Sequence, residues 1–465
     1  MSSSNLESVV RKQLKKVFDK DIDQAAGLLH LHFHHSMIAL FRSKAEDTDL
    51  GKSSRFRLSG SKLYPISMAK LPQEIMVDIL LRLPVKPLGR FRCVCKSWHT
   101  SLTDPHFIKM HLNRATQNDN LSLILSSDDG LFSVNCEAFD EAKALDLPPI
   151  QLGPRIIVVG SCNGLICLSD YEGRASVYNP TTREYVKLPY TPIELPFGEF
   201  ENYHLFSAMV FGYVPSTEEL KVVRIATFEE PDGESCQCEM KVHTVGTESW
   251  RRIVNVPPHL CRGIDDALVN GAIHWRASRE GGRFKFIISF DIGDEQFTEF
   301  PWPNSCFDNA NNLVTLKAFG GRLSIFCHLN NGDVEVWAMD DYGLTGSWSR
   351  VFHFKGVEIV GNLGWPRPNF KVLCPLHIWK NGKILLEVVS RRLVIYDPTN
   401  KMVRDLCIHG IPDLFATNVY VESLTSIASL MAGNGVEGET QNLVVWMKPI
   451  LVVFVAGVFA NLHYE

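Results

Sequence analysis

A glycine that heads a run of alternating apolar residues returns four times in this chain. Asn163-Gly164-Leu165-Ile166 recurs as Asn270-Gly271-Ala272-Ile273, Gly320-Gly321-Arg322-Leu323 and Asn381-Gly382-Lys383-Ile384. Each places Gly just before a strand, where a tight hairpin turn needs positive φ. Between residues 150 and 425 apolar residues follow a period of two, and almost nothing follows the helical period. The pattern predicts short strands such as Ile156–Val159, Leu165–Leu168, Ala175–Tyr178, Leu220–Thr227, Phe284–Phe290, Leu323–His328, Val334–Met339 and Leu393–Asp397. Tyr178-Asn179-Pro180-Thr181 also recurs, as Tyr396-Asp397-Pro398-Thr399. Neighbouring units lie about 50–60 residues apart, close to the spacing of four-stranded propeller blades. About 300 residues at that spacing make roughly six blades. A sandwich would not need so many strands. A propeller must hide its sheet edges, so the first hairpin, Leu121–Val134, is predicted to pair near Val419–Leu424.

Residues 67–111 have a different character. Leu71-Pro72 opens a helix, with Pro at the first helical position and Glu74 in the first turn. Ile75, Ile79, Leu80 and Leu83 form one apolar stripe, and Leu83-Pro84 stops it. Val85-Lys86-Pro87 restarts a second helix through Cys93. A third runs from Lys96 to Leu102, and Asp104-Pro105 begins a fourth carrying Phe107, Ile108 and Met110. Gly89 stands inside the second helix, where it costs up to about 1 kcal/mol. Such a small unit buries little core and leans on a partner. The fold class is therefore a small all-α module followed by an all-β domain, a β-propeller of about six blades.

Charge divides along the same lines. Residues 1–66 hold 11 basic and 7 acidic side chains, residues 67–111 hold 7 and 3, and the remainder holds 29 and 42. The net charge of −5 gives no support to nucleic-acid binding. The 12 cysteines form no CxxC pair and read as free thiols of a reducing compartment. Residues 1–66 read as an extension, partly helical and partly disordered. Val10, Leu14, Val17 and Phe18 share one helical face there, and residues 43–62 form a linker. Residues 426–465 read as a Gly-rich linker and an apolar tail. Leu443–Ala460 is interrupted by Lys448-Pro449, which leaves a tail anchor, a sticky appendage and an extra strand all open.

Four chemical signatures fail on context. Gly160-Ser161-Cys162-Asn163-Gly164 fits a nucleophile elbow, but a strand follows it where a helix is required. Gly433-Asn434-Gly435-Val436-Glu437-Gly438 lacks the βαβ setting of a dinucleotide site. His30, His32, His34 and His35 cluster without a carboxylate or Cys ligand nearby, a weak metal site at most. Asp19, Asp21 and Asp23 begin like a calcium loop but lack its Gly and Glu. No catalytic residue, cofactor or metal is expected. Loop aromatics are the better functional candidates. Trp302 in Pro301-Trp302-Pro303, Trp365 before Pro366, and Phe197 are read as binding anchors, since interface hot spots favour aromatics.

Residues 70–110 resemble the F-box. The matching string is Leu71-Pro72-x-Glu74-Ile75, Ile79-Leu80-x-Arg82-Leu83-Pro84-Val85-Lys86, Leu88, then Arg90-Phe91-Arg92-Cys93-Val94-Cys95-Lys96-Ser97-Trp98. The body resembles the plant F-box-associated domain, through Gly160–Leu165, Tyr178–Thr182 and the ending Tyr420-Val421-Glu422-Ser423-Leu424. The class is F-box/kelch-repeat-like and includes regulators of plant immunity. The resemblance implies an F-box over 67–111 and a substrate-binding β-domain over 112–425. It implies a non-enzymatic, cytoplasmic or nuclear substrate-recognition subunit of an SCF-type cullin-RING ubiquitin ligase. A Skp-type adaptor would bind Leu71, Pro72, Ile75, Ile79, Leu80, Leu83, Pro84, Val85, Leu88, Val94 and Trp98 and bring the cullin and RING protein. Ile79, Leu88 and Trp98 would also belong partly to the module's own core. A protein substrate, unidentified, would bind loops near Pro192–Glu201, Pro231–Ser235, Trp302–Asn312 and Gly361–Asn369. The competing readings are a carbohydrate-binding or enzymatic propeller, and a membrane-tethered scaffold.

Overall fold

The computed structural model describes residues 73–92, 96–147, 152–153, 155–170, 172–194, 204–229, 236–257, 267–277, 286–303, 313–356, 359, 373–388 and 390–433. The chain divides into two units, Met1–Arg114 and Ala115–Glu465. In the first, four helices follow in succession: α1 (Gln73–Leu81), α2 (Val85–Phe91), α3 (Lys96–Thr103) and α4 (Pro105–Gln117), whose last turn passes into the second unit. Pro84 is extended, at φ −60° and ψ 155°, and separates α1 from α2. Asp104 starts α4 by accepting the His106 N–H at 3.0 Å on its side chain, with Pro105 behind it at the first helical position. Ile79, Leu80, Leu83, Val85, Leu88, Phe91, Leu102 and Phe107 are buried.

The second unit is a closed ring of six four-stranded antiparallel sheets among the described residues. Blade 1 holds β1 (Ser122–Ser127), β2 (Gly130–Asn135) and β3 (Ala142–Ala144), and its innermost strand is the last one in the chain, β24 (Ala416–Tyr420). Blade 2 is β4 (Ile156–Cys162), β5 (Leu165–Asp170), β6 (Ala175–Tyr178) and β7 (Tyr185–Lys187). Blade 3 is β8 (His204–Val214), β9 (Glu219–Glu229), β10 (Cys236–Thr244) and β11 (Arg251–Arg252). Blade 4 is β12 (Ala267–Val269), β13 (Ala272–Ala277), β14 (Phe286–Asp291) and β15 (Phe297–Pro301). Blade 5 is β16 (Leu313–Phe319), β17 (Arg322–His328), β18 (Val334–Met339) and β19 (Trp348–Phe354). Blade 6 is β20 (Leu373–Ile378), β21 (Ile384–Val388), β22 (Arg392–Asp397) and β23 (Met402–Asp405).

Every blade is covered on both faces, so the core is a ring of apolar wedges, one between each pair of neighbours. Strand β5 shows the consequence. Leu165 and Cys167 point into the wedge shared with blade 3, and Ile166 and Leu168 point into the wedge shared with blade 1. Its four apolar residues run without a break because neither face meets water. The repeated glycines do what their sequence predicts. Asn163 and Gly164 adopt φ of 51° and 76°, and Asn270 and Gly271 adopt 52° and 77°, the two left-handed residues of a type I′ hairpin. The second repeat forms Asx turns. The side-chain oxygen of Asn179 accepts the Thr181 N–H, and that of Asp397 accepts the Thr399 N–H.

The ring closes where β24 pairs with β1, with Leu123 opposite Val419 and Ser126 opposite Ala416. The first hairpin thus finds its C-terminal partner, over Ala416–Tyr420 and not as far as Leu424. The residues after β24 cross onto blade 2. Ser423 Oγ donates to Asn163 O at 2.9 Å, and Asn179 Nδ2 donates to Ser423 O and Thr425 O. The C-terminal boundary expected at 426 is corrected here. Ile427–Gly433 forms a helix, α5, capped by the Glu184 carboxylate, which accepts the Ile427 N–H at 2.6 Å. Ile427 and Met431 are buried in the wedge of blades 2 and 3. That apolar burial holds a seven-residue helix whose length alone would not.

Two glycine substitutions separate the two kinds of position. A Cβ on Gly164 would lie 2.2 Å from Ser423 Oγ, and its φ is +76°. Gly164→Ala is expected to destabilise the ring by at least about 1–3 kcal/mol, read as a lower unfolding midpoint. Gly89 has open space around its Cβ position, and Gly89→Ala is expected to stabilise the helical module by up to about 1 kcal/mol. An unchanged midpoint for Gly164→Ala, or slower hydrogen exchange in α2 failing to appear for Gly89→Ala, would contradict these assignments.

Candidate interaction surfaces

The helical module turns much of its apolar stripe inward. Leu80, Leu83, Val85 and Leu88 are buried, with Leu88 fully so, and Ile79 lies with them. Ile79 and Leu88 are in the module's core as expected, and Leu80, Leu83 and Val85 join them there, because helices this short need those side chains to hold one another. Trp98 is half-buried and packs edge-on against Phe91 at 5.1 Å between ring centroids. Pro84 is exposed. Ile75 lies in α1, with its side chain outside the described residues, as are Leu71, Pro72 and Val94.

Sequence reasoning passed over Met76, Val77 and Leu81, which stay half-exposed on α1. The signal was present. The run Ile75-Met76-Val77 with Ile79-Leu80-Leu81 is apolar around most of the helix, more than one inward stripe can bury. Pro87, Ile108, Met110 and Leu112 are likewise half-exposed. The module therefore keeps unsatisfied apolar surface outside its own core.

One buried polar contact holds this module together. His111 Nε2 lies 2.8 Å from Leu83 O, and since the carbonyl only accepts, Nε2 carries the proton. Its ring stacks on Phe107. Burial lowers the His111 pKa, against the raising effect of the Leu83 carbonyl. A lowered value means that the unfolded chain takes the proton first. The neutral-histidine contribution is thus complete above about pH 6.5 and is lost as the pH falls through the folded value.

The propeller offers a second surface, defined by topology. The six connections that lead from one blade to the next all emerge at one end of the ring, together with the β5–β6, β9–β10 and β13–β14 connections. The blade-to-blade connections span 10 to 18 residues. The opposite end carries the tight turns, such as Asn163-Gly164 and Gly320-Gly321, and no connection longer than eight residues. Residues 118–121 enter the ring at that tight-turn end, beside the departure of β24. The described strand ends that flank the four candidate segments, around 192–201, 231–235, 302–312 and 361–369, all lie at the long-connection end. Phe197 and Trp365 lie outside the described residues.

Trp302 is a correction. It is 8% exposed and packs between blades 4 and 5, among Val269, Ile287, Phe300, Val314 and Leu316. The residue directly after β15 drops into the inter-blade wedge, so the flanking prolines mark a packed corner and not a protruding anchor.

Tyr190 has the exposure that Trp302 lacks, at 61%. It belongs to a strap, residues 188–194, fastened along blade 3 through successive backbone carbonyls. Trp250 Nε1 donates to Pro189 O at 2.6 Å, the Arg224 guanidinium donates to Thr191 O, and Lys241 Nζ donates to Pro192 O at 2.9 Å. Glu194 ends the strap between Lys241 and Arg252, and the Lys241 ammonium holds its carboxyl below the usual range. Arg224, Glu239 and Lys241 are themselves buried. The Pro189-Tyr190-Thr191-Pro192 string carries the same sequence signal as Pro301-Trp302-Pro303, an aromatic between prolines.

The nucleophile-elbow match does not form a reactive centre. Cys162 ends β4 ahead of its type I′ turn, and burial pushes its thiol up to about 12. Among the described residues no group of three or more His, Cys, Asp or Glu is placed to hold a metal, and no helix is long and apolar enough to cross a membrane. The His30–His35 cluster and Leu443–Ala460 lie outside the described residues.

Comparison with known proteins is consistent with this division. The F-box domain family matches residues 68–110, and the F-box associated beta propeller domain family matches residues 125–430. The chain is 31% identical to the F-box protein CPR1 of Arabidopsis thaliana, over 77% of this chain and 89% of that protein. It is 32% identical to the F-box protein At3g07870 of the same plant, over 77% and 92%, and 28% identical to the F-box/kelch-repeat protein At3g23880, over 77% and 95%.

Hydrogen-exchange protection of residues 73–114 in the full chain is expected to fall between pH 7.5 and 5.5, and His111→Gln is expected to flatten that fall. A pH response equal in parent and variant would remove His111 as its source.

Proposed function

Since the chain belongs to the F-box proteins that carry an F-box-associated β-propeller domain, we propose that it is the substrate-recognition subunit of an SCF-type cullin-RING ubiquitin ligase. The F-box docks on a Skp-type adaptor, through which a cullin and a RING protein are recruited. The propeller holds a target protein for ubiquitination. The observation that carries this reading is the joining of a helical module with leftover apolar surface to a closed ring whose blade-to-blade connections all open at one end.

In this role the chain does no covalent chemistry. It converts an encounter between a target lysine and a distant thioester into an intramolecular event, and raises the effective concentration of one near the other. A rigid ring suits that task, because positional freedom at the substrate end dilutes the gain. On the helical module, Leu71 and Pro72 match the family's adaptor-contacting positions, and Met76, Val77 and Leu81 extend the apolar surface of α1. At the propeller, Tyr190 is an exposed aromatic anchor on backbone already fastened on both sides, which reduces the backbone entropy lost on binding.

The adaptor assignment is tested with Leu71→Ala/Pro72→Ala. Burying one Leu fully is worth about 1.5–3 kcal/mol, so loss of two central contacts should weaken adaptor binding by roughly 30-fold or more. The propeller's melting transition should not move. An affinity within about threefold of the parent, under 1 kcal/mol, would refute the adaptor role of these two residues. The substrate end is tested separately. Proteins that accumulate on the full chain when the proteasome and cullin neddylation are inhibited should be lost on replacing 196–201, 231–235, 304–312 and 361–369 by Gly/Ser linkers, and depleted by Tyr190→Ala. Adaptor binding should persist in both. Undiminished capture by the loop-replaced chain would place the substrate site elsewhere.

A further inference from the structure

The described cysteines differ in their surroundings. Burial pushes the thiols of Cys136, Cys162, Cys167 and Cys238 up to about 12, which keeps them protonated and inert. Cys374 is half-buried on β20, the innermost strand of blade 6, and has a cation beside it. Lys317, on the innermost strand of blade 5, places Nζ 3.1 Å from Cys374 Sγ. Glu387 pairs directly with Cys374 across β20 and β21. Its buried carboxylate accepts the Thr417 N–H at 2.9 Å and the Ser390 hydroxyl at 3.2 Å. Burial pushes the Glu387 carboxyl up, and the Lys317 charge pulls it partly back. A thiol, an ammonium and a carboxyl thus meet where blades 5, 6 and 1 come together around the ring's axis.

We propose that Cys374 is a modification site for small hydroperoxides, with Lys317 as the residue that activates its sulfur. An adjacent ammonium favours the thiolate, which is the nucleophilic form. Cys374 Sγ attacks one peroxide oxygen, an S–O bond forms and the O–O bond breaks. The sulfur is oxidised by two electrons and the peroxide is reduced. The departing oxide takes a proton from Lys317, which recovers one from solvent. The product is a sulfenic acid. One low-molecular-weight thiol converts it to a mixed disulfide and water, and a second thiol releases the free Cys374. Glu387 works against activation, because Lys317 must then serve two anions. Removing its charge while keeping its acceptor oxygen for Thr417 should therefore speed the reaction.

The test uses the full chain, dilute hydrogen peroxide, a sulfenic-acid-trapping probe and site-resolved mass spectrometry. Cys407, which is exposed, is the internal reference. Cys374 should be trapped about tenfold faster than Cys407 despite its lower exposure. Lys317→Met should slow Cys374 by about tenfold, Lys317→Arg should keep most of the rate, and Glu387→Gln should raise it. The Cys407 rate and the melting midpoint of each variant report whether the ring stays folded. Trapping of Cys374 no faster than Cys407 in the parent overturns the proposal. So does a Cys374 rate unchanged in Lys317→Met. If Lys317→Met unfolds, a rate in Glu387→Gln at or below the parent's decides against it.

Discussion

Everything in the second unit depends on the antiparallel ladder between β24 and β1, which joins strands nearly 300 residues apart. An open row of six sheets would leave an unpaired edge at each end and two wedges half empty. The chain-entropy penalty for meeting over so long a loop grows only with the logarithm of its length, about 0.6 kcal/mol for each doubling. What opposes it is local and large. Leu123 and Leu125 complete the wedge toward blade 6, and Ile124 and Tyr420 complete the wedge toward blade 2. The closing strand thus contributes backbone hydrogen bonds and seals apolar surface on both sides at once.

The ladder is reinforced past its own end. Residues 423–427 bond to Asn163, Asn179 and Glu184 of blade 2, so the C-terminal segment touches two blades and not one. The same Asn179 that builds a local Asx turn through its oxygen spends its amide nitrogen on this latch. A repeat residue in one blade has acquired a long-range role. Its counterpart in blade 6, Asp397, has no amide nitrogen to offer and makes only the local turn.

The parts of this fold legible in the sequence are those that local chemistry decides. Asn-Gly turns require left-handed backbone wherever they occur, and alternating apolar residues require a sheet with something on each side. Leu83-Pro84 stops a helix regardless of its neighbours. The parts that were not legible depend on distant residues. The short strands β3, β7 and β11 have two or three residues and no period of their own, and pairing partners alone define them. Helix α5 relies on the Glu184 cap and on a wedge between blades. Trp302 and Tyr190 show the limit most clearly. Both sit among prolines in blade-to-blade connections, yet Trp302 lies over a gap between blades and fills it. The backbone beside Tyr190 is pinned by Trp250, Arg224 and Lys241 along the side of blade 3, which leaves the ring outside. No local pattern distinguishes them.

That strap also explains how a surface can vary while the ring beneath it does not. Between Pro189 and Pro192 its fastening uses backbone carbonyls, which every residue supplies, so the Tyr190 side chain has no part in holding it; Leu188, Thr191 and Glu194 do, by burial and by ion pairs. The side chains that do the holding, Arg224, Lys241 and Trp250, belong to blade 3. Arg224 and Lys241 are buried and Trp250 is half-buried, which restrains them before any partner arrives, and Arg224 and Lys241 lie near neutralising carboxyls, Glu239 and Glu194. A buried cation left without such partners would destabilise the ring, because its desolvation would go uncompensated. Change at Tyr190 therefore leaves the core's charge balance intact, and change at Arg224, Lys241 or Glu194 does not. Tyr190, which takes no part in that balance, can change without disturbing the support beneath it.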